Sequence, residues 1–193
     1  APSIKAFETR CEDLPKESVQ LKILQTVVDQ LWSTLPHFCE LPTDLEDAFT
    51  NEFASELSSL LYSKVELRTT ICHALKMLVQ SNLAYVNGAF ADDILIQQHF
   101  PVPYSQNSLT YLTGKAGNIL AVLFNVYTQT APNARGYILE TIEEYLKVTS
   151  QEDLERTFNN VCGLLKNAMD QESNAPVKGK PQLSATLLDL VVC

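Results

Sequence analysis

Proline placement constrains this chain more than any other feature. Proline has no N–H and its ring collides with the preceding turn, so helical chains confine it to helix starts and connections. Pro15, Pro36, Pro42, Pro101, Pro103, Pro132, Pro176 and Pro181 fall between stretches whose apolar residues recur at helical spacing. They mark out helices of about 15 to 20 residues. The last stretch runs into Leu187-Leu188-Asp189-Leu190-Val191-Val192, an apolar segment with nothing after it to cover it, and the chain opens on Ala1 rather than methionine. The expectation is one length of a longer helical stack.

At 193 residues, 46% hydrophobic and 19% charged, the chain can bury a sizeable core. Six glycines are too few for a turn-rich all-β protein. The net charge of −9 repels phosphate, whereas close nucleic-acid binding needs a basic stripe. Direct RNA contact by these residues is therefore not expected. Cys11, Cys39, Cys72, Cys162 and Cys193 are odd in number and lack C-x-x-C spacing. They read as reduced, small apolar residues of an intracellular protein. The longest apolar run, Ile119 to Phe124, is far short of the ~20 residues of a membrane span, so no membrane partner is expected.

The first helix is expected over about 16–35, with Leu21, Leu24, Val28, Leu31, Trp32 and Leu35 on one stripe and Pro36 bending or ending it. The second opens at Thr43-Asp44-Leu45-Glu46, a capping box, and carries Phe49, Phe53, Leu57, Leu60 and Leu61. A tight turn at Lys64 leads to a third, with Leu67, Ile71, Ala74, Leu75 and Leu78 on one face. From Ser81 to Thr113 the period is lost, which predicts a long insertion with one short element at Ile94 to His99. A fourth helix, Lys115 to Thr128, is apolar nearly all round and must be covered on several sides. The fifth starts at Pro132, with Ile138, Ile142 and Tyr145 inward and a Glu143–Lys147 pair outward. The sixth starts at the capping signal Ser150-Gln151-Glu152-Asp153 and turns Leu154, Phe158, Val161, Leu165, Ala168 and Met169 inward. A polar linker, 171–181, precedes the seventh, Leu183 to Val192.

Paired, these make three hairpins. The sixth helix starts about 37 residues after the fourth, near the ~40–47-residue period of HEAT and armadillo arrays; the earlier step of about 70 residues returns to that period once an insertion of about 30 is removed. The predicted fold is all-α: an α-solenoid of HEAT/armadillo-like hairpins with about seven helices and one long insertion loop. It is a single segment over 1–193, with first helices at 16–80, the insertion at 81–113 and further hairpins at 114–193. A closed helical bundle is the alternative.

Reactive constellations do not emerge. His37, His73 and His99 lack the four converging ligands of a zinc site. Glu143-Glu144 lies off the apolar face, and Glu152-Asp153 sits in a first turn where negative charge suits the helix dipole. Gly114-Lys115-Ala116-Gly117 lacks the phosphate-loop frame and reads as a helix start. Trp32 and Phe38 could stack on bases, but Trp32 falls in the core stripe. Lys178-Gly179-Lys180 is too short for a basic patch. No catalytic, cofactor-binding or metal-ligating residue is predicted, and no cofactor. The segment Ala89 to Thr110 reads equally as a disordered loop or as a partner-docking arm.

Several strings together resemble the HEAT-repeat ribosomal RNA-processing protein Twelve family of karyopherin-like small-subunit assembly factors. They are Leu31-Trp32-Ser33-Thr34-Leu35-Pro36-His37-Phe38-Cys39, Pro42-Thr43-Asp44, Leu67-Arg68 with Ile71-Cys72-His73-Ala74-Leu75, and Leu123-Phe124-Asn125-Val126-Tyr127. Leu139-Glu140-Thr141-Ile142 with Tyr145-Leu146, and Leu188-Asp189-Leu190-Val191-Val192, complete the set. These are core and connection residues, so the resemblance implies architecture and no catalytic residue. It implies a non-enzymatic nucleolar and nuclear scaffold, shuttling to the cytoplasm, that binds assembly factors and pre-ribosomal particles (90S and pre-40S). Such a scaffold supports pre-rRNA processing and small-subunit maturation and export, and the Ran transport system is implied as well. Two other readings are a segment of a karyopherin-type transport receptor, whose acidic face would favour basic cargo, and a regulatory domain of an enzyme.

Overall fold

A computed structural model describes residues 2–41, 45–99, 106–174 and 182–192, and among these every regular element is helical. The α-helices are α1 (Pro2–Glu12), α2 (Val19–Ser33), α3 (Leu35–Phe38), α4 (Leu45–Ala48), α5 (Asn51–Ser63) and α6 (Arg68–Val86). They continue with α7 (Ile94–His99), α8 (Gln106–Gln129), α9 (Gly136–Leu146), α10 (Gln151–Asn174) and α11 (Leu183–Val192). The seven expected helices are α2, α5, α6, α8, α9, α10 and α11. Sequence periodicity missed α1, whose Ile4 and Phe7 pack against the core.

Short polar side chains start the long helices. The Leu21 amide donates to Ser18 Oγ at 3.1 Å in α2, the Phe53 amide to Thr50 Oγ1 at 3.2 Å in α5, and the Asp153 amide to Ser150 Oγ at 3.2 Å in α10. Each satisfies an amide that has no partner within its helix. The proposed cap at Thr43 lies outside the described residues. The second helix is not continuous, because it breaks at Phe49 and Thr50 where the threonine caps a new start. Pro36 occupies the first turn of α3, where its missing N–H costs nothing.

The expected insertion over 81–113 is shorter at both ends. The α6 helix continues to Val86, with Ser81 Oγ donating to the Cys39 carbonyl at 2.8 Å and Asn82 Nδ2 to the Leu78 carbonyl at 2.6 Å. The α8 helix opens at Gln106, with Leu112 and Ala116 fully buried, so Gly114 to Gly117 lies inside a helix rather than at its start. A β-carbon on Gly117 would stand 2.9 Å from Asp153 Cγ, so glycine lets the first turn of α10 close on α8. The short element α7 falls at Ile94–His99, where it was expected.

The helices form two layers. In one, α6 lies between α3 and α9; in the other, α8 lies between α5 and the α10–α11 pair. Neighbouring hairpins stack in one register. Lys76 Nζ donates to Glu140 Oε2 at 2.8 Å and Gln80 Nε2 to Glu144 Oε1 at 3.1 Å across α6 and α9, while Lys115 Nζ meets Asn51 Oδ1 across α5 and α8. Every one of these pairs is 64 residues apart, so both layers share one translation. That is the structural meaning of a helical repeat.

Two arginines repeat at hairpin bends. Arg68 is buried and donates to the carbonyls of Leu61 (2.7 Å) and Tyr62 (3.3 Å) and to Thr130 Oγ1 (3.3 Å) of the next hairpin. It fills the end of α5, where carbonyls lack intrahelical partners and a cation suits the helix dipole. Arg135, also buried, reaches forward to Thr186 Oγ1 at 3.0 Å and Asp189 Oδ2 at 2.8 Å, with its guanidinium 4.4 Å from the centre of the Tyr127 ring. Both side chains couple one hairpin to the next.

Candidate docking surfaces

The side chains weighed as chemical candidates do not converge. His37 is exposed, with Nδ1 2.7 Å from Glu40 Oε1, and His73 is exposed on α6. The side chain of His99 and the whole of Lys178-Gly179-Lys180 lie outside the described residues. Among the described residues, no group of three or more His, Cys, Asp or Glu side chains could hold a metal ion. Asp153 accepts from the Ser150 hydroxyl and pairs with Arg156, so it serves helix capping. Lys147 pairs with Glu144 at 2.8 Å, and Glu144 is turned into the seam where Gln80 also donates to it. Burial acts to raise the Glu144 carboxyl, but these donors outweigh it and hold the group below its ordinary range.

The thiols of Cys39 and Cys72 are held back for a physical reason. Burial pushes Cys39 up to about 11 and Cys72 up to about 12, so the nucleophilic thiolate is suppressed. Tyr145 is fully buried, which raises its phenol strongly, and its hydroxyl has no hydrogen-bond partner among the described residues. Trp32 is 3% exposed and belongs to the core, whereas Phe38 is 79% exposed. The paired aromatic platform is therefore not assembled.

What the fold builds instead is a set of concave surfaces. One, of about 330 Å³, lies at the open end of the α10–α11 hairpin and is lined by Phe124, Leu146, Leu154, Phe158, Val161, Leu190 and Val191. A second, about 460 Å³, lies between α1, α2 and the α5–α6 bend; it is polar, with Glu8, Glu12, Asp29 and Glu66 facing Lys16 and Lys64. A third, about 190 Å³, is walled by Ile4, Leu31, Trp32, Leu35, Phe38 and Phe53. Periodicity placed Phe158 and Met169 inward, yet they are 54% and 53% exposed. The stripe on α10 is wider than the surface α8 and α11 offer it. That surplus could not be read from the sequence, since period alone does not say how much of a stripe finds a partner.

The final helix is better covered than expected. Leu187 and Leu190 are buried against α8 and α10, while Leu188 and Val192 remain exposed. Glu172 fixes this pairing by accepting from the amide (3.1 Å) and the hydroxyl of Ser184, and those bonds hold its carboxyl below the usual range. Among the described residues, no helix is long and apolar enough to cross a membrane.

Comparison with known proteins agrees with this architecture. Residues 1–130 match the family model for the HEAT repeats of ribosomal RNA-processing protein 12. The chain is 63% identical over 196 residues to the Saccharomyces cerevisiae ribosomal RNA-processing protein 12, covering all of this chain and 16% of that protein. A Schizosaccharomyces pombe relative is 35% identical over 182 residues, covering 91% of this chain and 15% of its own length. The human RRP12-like protein is 29% identical over 198 residues, covering 99% of this chain and 13% of its own length. The chain thus spans about one-sixth or less of the length of these curated relatives. Its match across two-thirds of the sequence and its 63% identity over the whole chain place it in the ribosomal RNA-processing protein 12 HEAT-repeat family.

Proposed function

We propose that this chain is a non-enzymatic scaffold segment of a longer α-solenoid that works in ribosome biogenesis, in the nucleolus and nucleus. In this reading its helix faces dock assembly factors on pre-ribosomal particles and so support pre-rRNA processing and small-subunit maturation and export. The observation that carries the reading is 63% identity, over the whole chain, to a ribosomal RNA-processing protein. The surface chemistry supports it. Among the described residues, these three concavities bring together no nucleophile, base and oxyanion donor of the kind turnover uses. They present apolar and acidic residues suited to protein partners. A net charge of −9 favours docking on protein components over direct grip on RNA phosphates.

The test is sedimentation of the purified chain with pre-40S particles through a gradient at moderate salt. Co-migration is expected, and its absence would sink the scaffold role. The transport-receptor reading, with Ran involvement and shuttling to the cytoplasm, predicts a different result. There, basic peptides bind in a salt-sensitive manner and Ran-GTP releases them.

A further inference from the structure

We propose that the break between α4 and α5 is a two-state joint, kept broken by α8 and closing into one continuous helix when α8 lifts away. The apolar stripe Leu45, Phe49, Phe53, Leu57 and Leu61 keeps helical spacing straight through the break. Thr50 nevertheless takes an extended backbone there, with φ −63° and ψ 165°. Where a local pattern and the tertiary structure disagree, contacts from other elements decide the outcome.

Hydrogen bonding shows how the two states balance. In a continuous helix the Phe53 amide donates to the Phe49 carbonyl, four residues back. Here that one bond is exchanged for two. The Phe53 amide donates to Thr50 Oγ1 at 3.2 Å, and the Phe49 carbonyl accepts from the Tyr111 hydroxyl of α8 at 2.9 Å. Helical bonding resumes at once on either side, from the Phe49 amide to the Leu45 carbonyl at 2.8 Å and from the Ala54 amide to the Thr50 carbonyl at 2.9 Å. Both groups freed by the break are satisfied, one locally and one by a different helix.

Tyr111 is itself held in place. Lys115 Nζ lies 4.6 Å from the centre of its ring and meets Asn51 Oδ1, on the first residue of α5. The α8 helix therefore grips both sides of the break, at Phe49 before it and Asn51 after it. Phe49 is 5% exposed, so its carbonyl gains little water when the Tyr111 hydroxyl leaves and returns to the Phe53 amide. Closure straightens residues 45–63 and turns α4 relative to α5. The seating of α8 thereby sets the bend of this layer. The joint lies between α3 and α8, within the stack, so repeats added at either end leave it in place.

The experiment reads the backbone at residue 50 in the isotope-labelled 193-residue chain, from carbon chemical shifts and from relaxation dispersion, which detects a minor state. Amide hydrogen exchange is measured alongside. Thr50 is expected to show extended shifts between helical neighbours. Tyr111→Phe keeps the ring and removes the donor, so the ratio of closed to broken joint should rise about fivefold, the worth of one hydrogen bond. Thr50→Ala should raise it further, and exchange over residues 109–115 of α8 should quicken about fivefold, because coupling between two sites is reciprocal. Thr50→Ser keeps the capping hydroxyl and should stay extended.

Extended shifts in every variant with no exchanging minor state overturn the proposal, since packing of Leu45 and Phe49 would then impose the break. A closed joint in Thr50→Ala with unchanged exchange in α8 overturns it too, as does a less stable Tyr111→Phe whose residue 50 stays put. Should Tyr111→Phe not fold, the exposed Thr50 still allows Thr50→Ala to decide the matter through its effect on 109–115.

Discussion

The α6–α9 seam and the α10–α11 hairpin are both helix pairs in one array, yet different forces hold them. In the seam, Ile71, Cys72, Ile138, Ile142 and Tyr145 are fully buried, and each large apolar side chain removed from water contributes about 1.5–3 kcal/mol. Polar contacts at its margin, such as Lys76–Glu140, are half-exposed and add little. In the hairpin, Val161 and Ala168 are the buried apolar residues of α10, while Phe158, Leu164 and Met169 face water. There Arg135 with Asp189 and Thr186, and Glu172 with Ser184, fix the geometry. The seam is closed by burial; the hairpin buries Leu187 and Leu190, adds polar pins, and leaves one side of α10 in water.

The sharpest test of that difference is thiol chemistry. Cys72 lies in the seam with its thiol pushed up to about 12, against an ordinary value of 9.0. At neutral pH this leaves about a thousandfold less thiolate. Alkylation followed by mass spectrometry should therefore find the half-buried Cys162 of α10 modified while Cys72 waits for global unfolding. Comparable rates at the two sites would mean the seam opens locally.

Stability should follow the same division. Trp32→Ala empties a buried site beside α3 and should cost about 3–5 kcal/mol in urea denaturation. An unchanged midpoint would show that the ring is not a core residue. Arg135→Met should cost less, about 1–2 kcal/mol, because Asp189 is half-exposed and keeps water when its partner is lost. The loss should be confined to hydrogen-exchange protection of 183–192; loss spread to α6 and α9 would make Arg135 part of the seam.

Acid should act more weakly, and in the hairpin through Glu172. Hydrogen bonds from the Ser184 hydroxyl and amide lower the Glu172 carboxyl below its ordinary 4.5. A depressed carboxylate stabilises the fold fully above its unfolded value and loses that contribution as pH falls through the folded one. Exchange protection at the start of α11 should therefore fall as pH drops below about 4.5. Glu172→Gln should lose that pH dependence. The smallest effect belongs to Phe158→Ala, expected to change stability by less than about 0.5 kcal/mol because the ring is half in water. A larger loss would place Phe158 in the core and remove the open groove.

Most helices were legible because one apolar side in every turn, a proline at the bend and a serine or threonine at the start are local signals. They identified α2, α5, α9, α10 and α11, and even the short α7. The end of α6 and the start of α8 were lost because the apolar period fades from Ser81 to Thr113, and polar residues and Gly114 interrupt it. In α6, Ser81 finds its partner in the Cys39 carbonyl of another element and Asn82 in the Leu78 carbonyl one turn back. The candidate surfaces were not legible for the same reason. Phe158 and Val161 share one stripe of α10, yet one faces water and the other is buried.

Hydrophobic period and proline position, being properties of neighbouring residues, determined by themselves that this chain makes helical hairpins. The 64-residue register, the reach of Arg68 and Arg135 between hairpins, and the apolar surface left open on α10 were decided only by tertiary structure. A stripe records which side of a helix avoids water, while the area that covers it belongs to whichever helices pack against it.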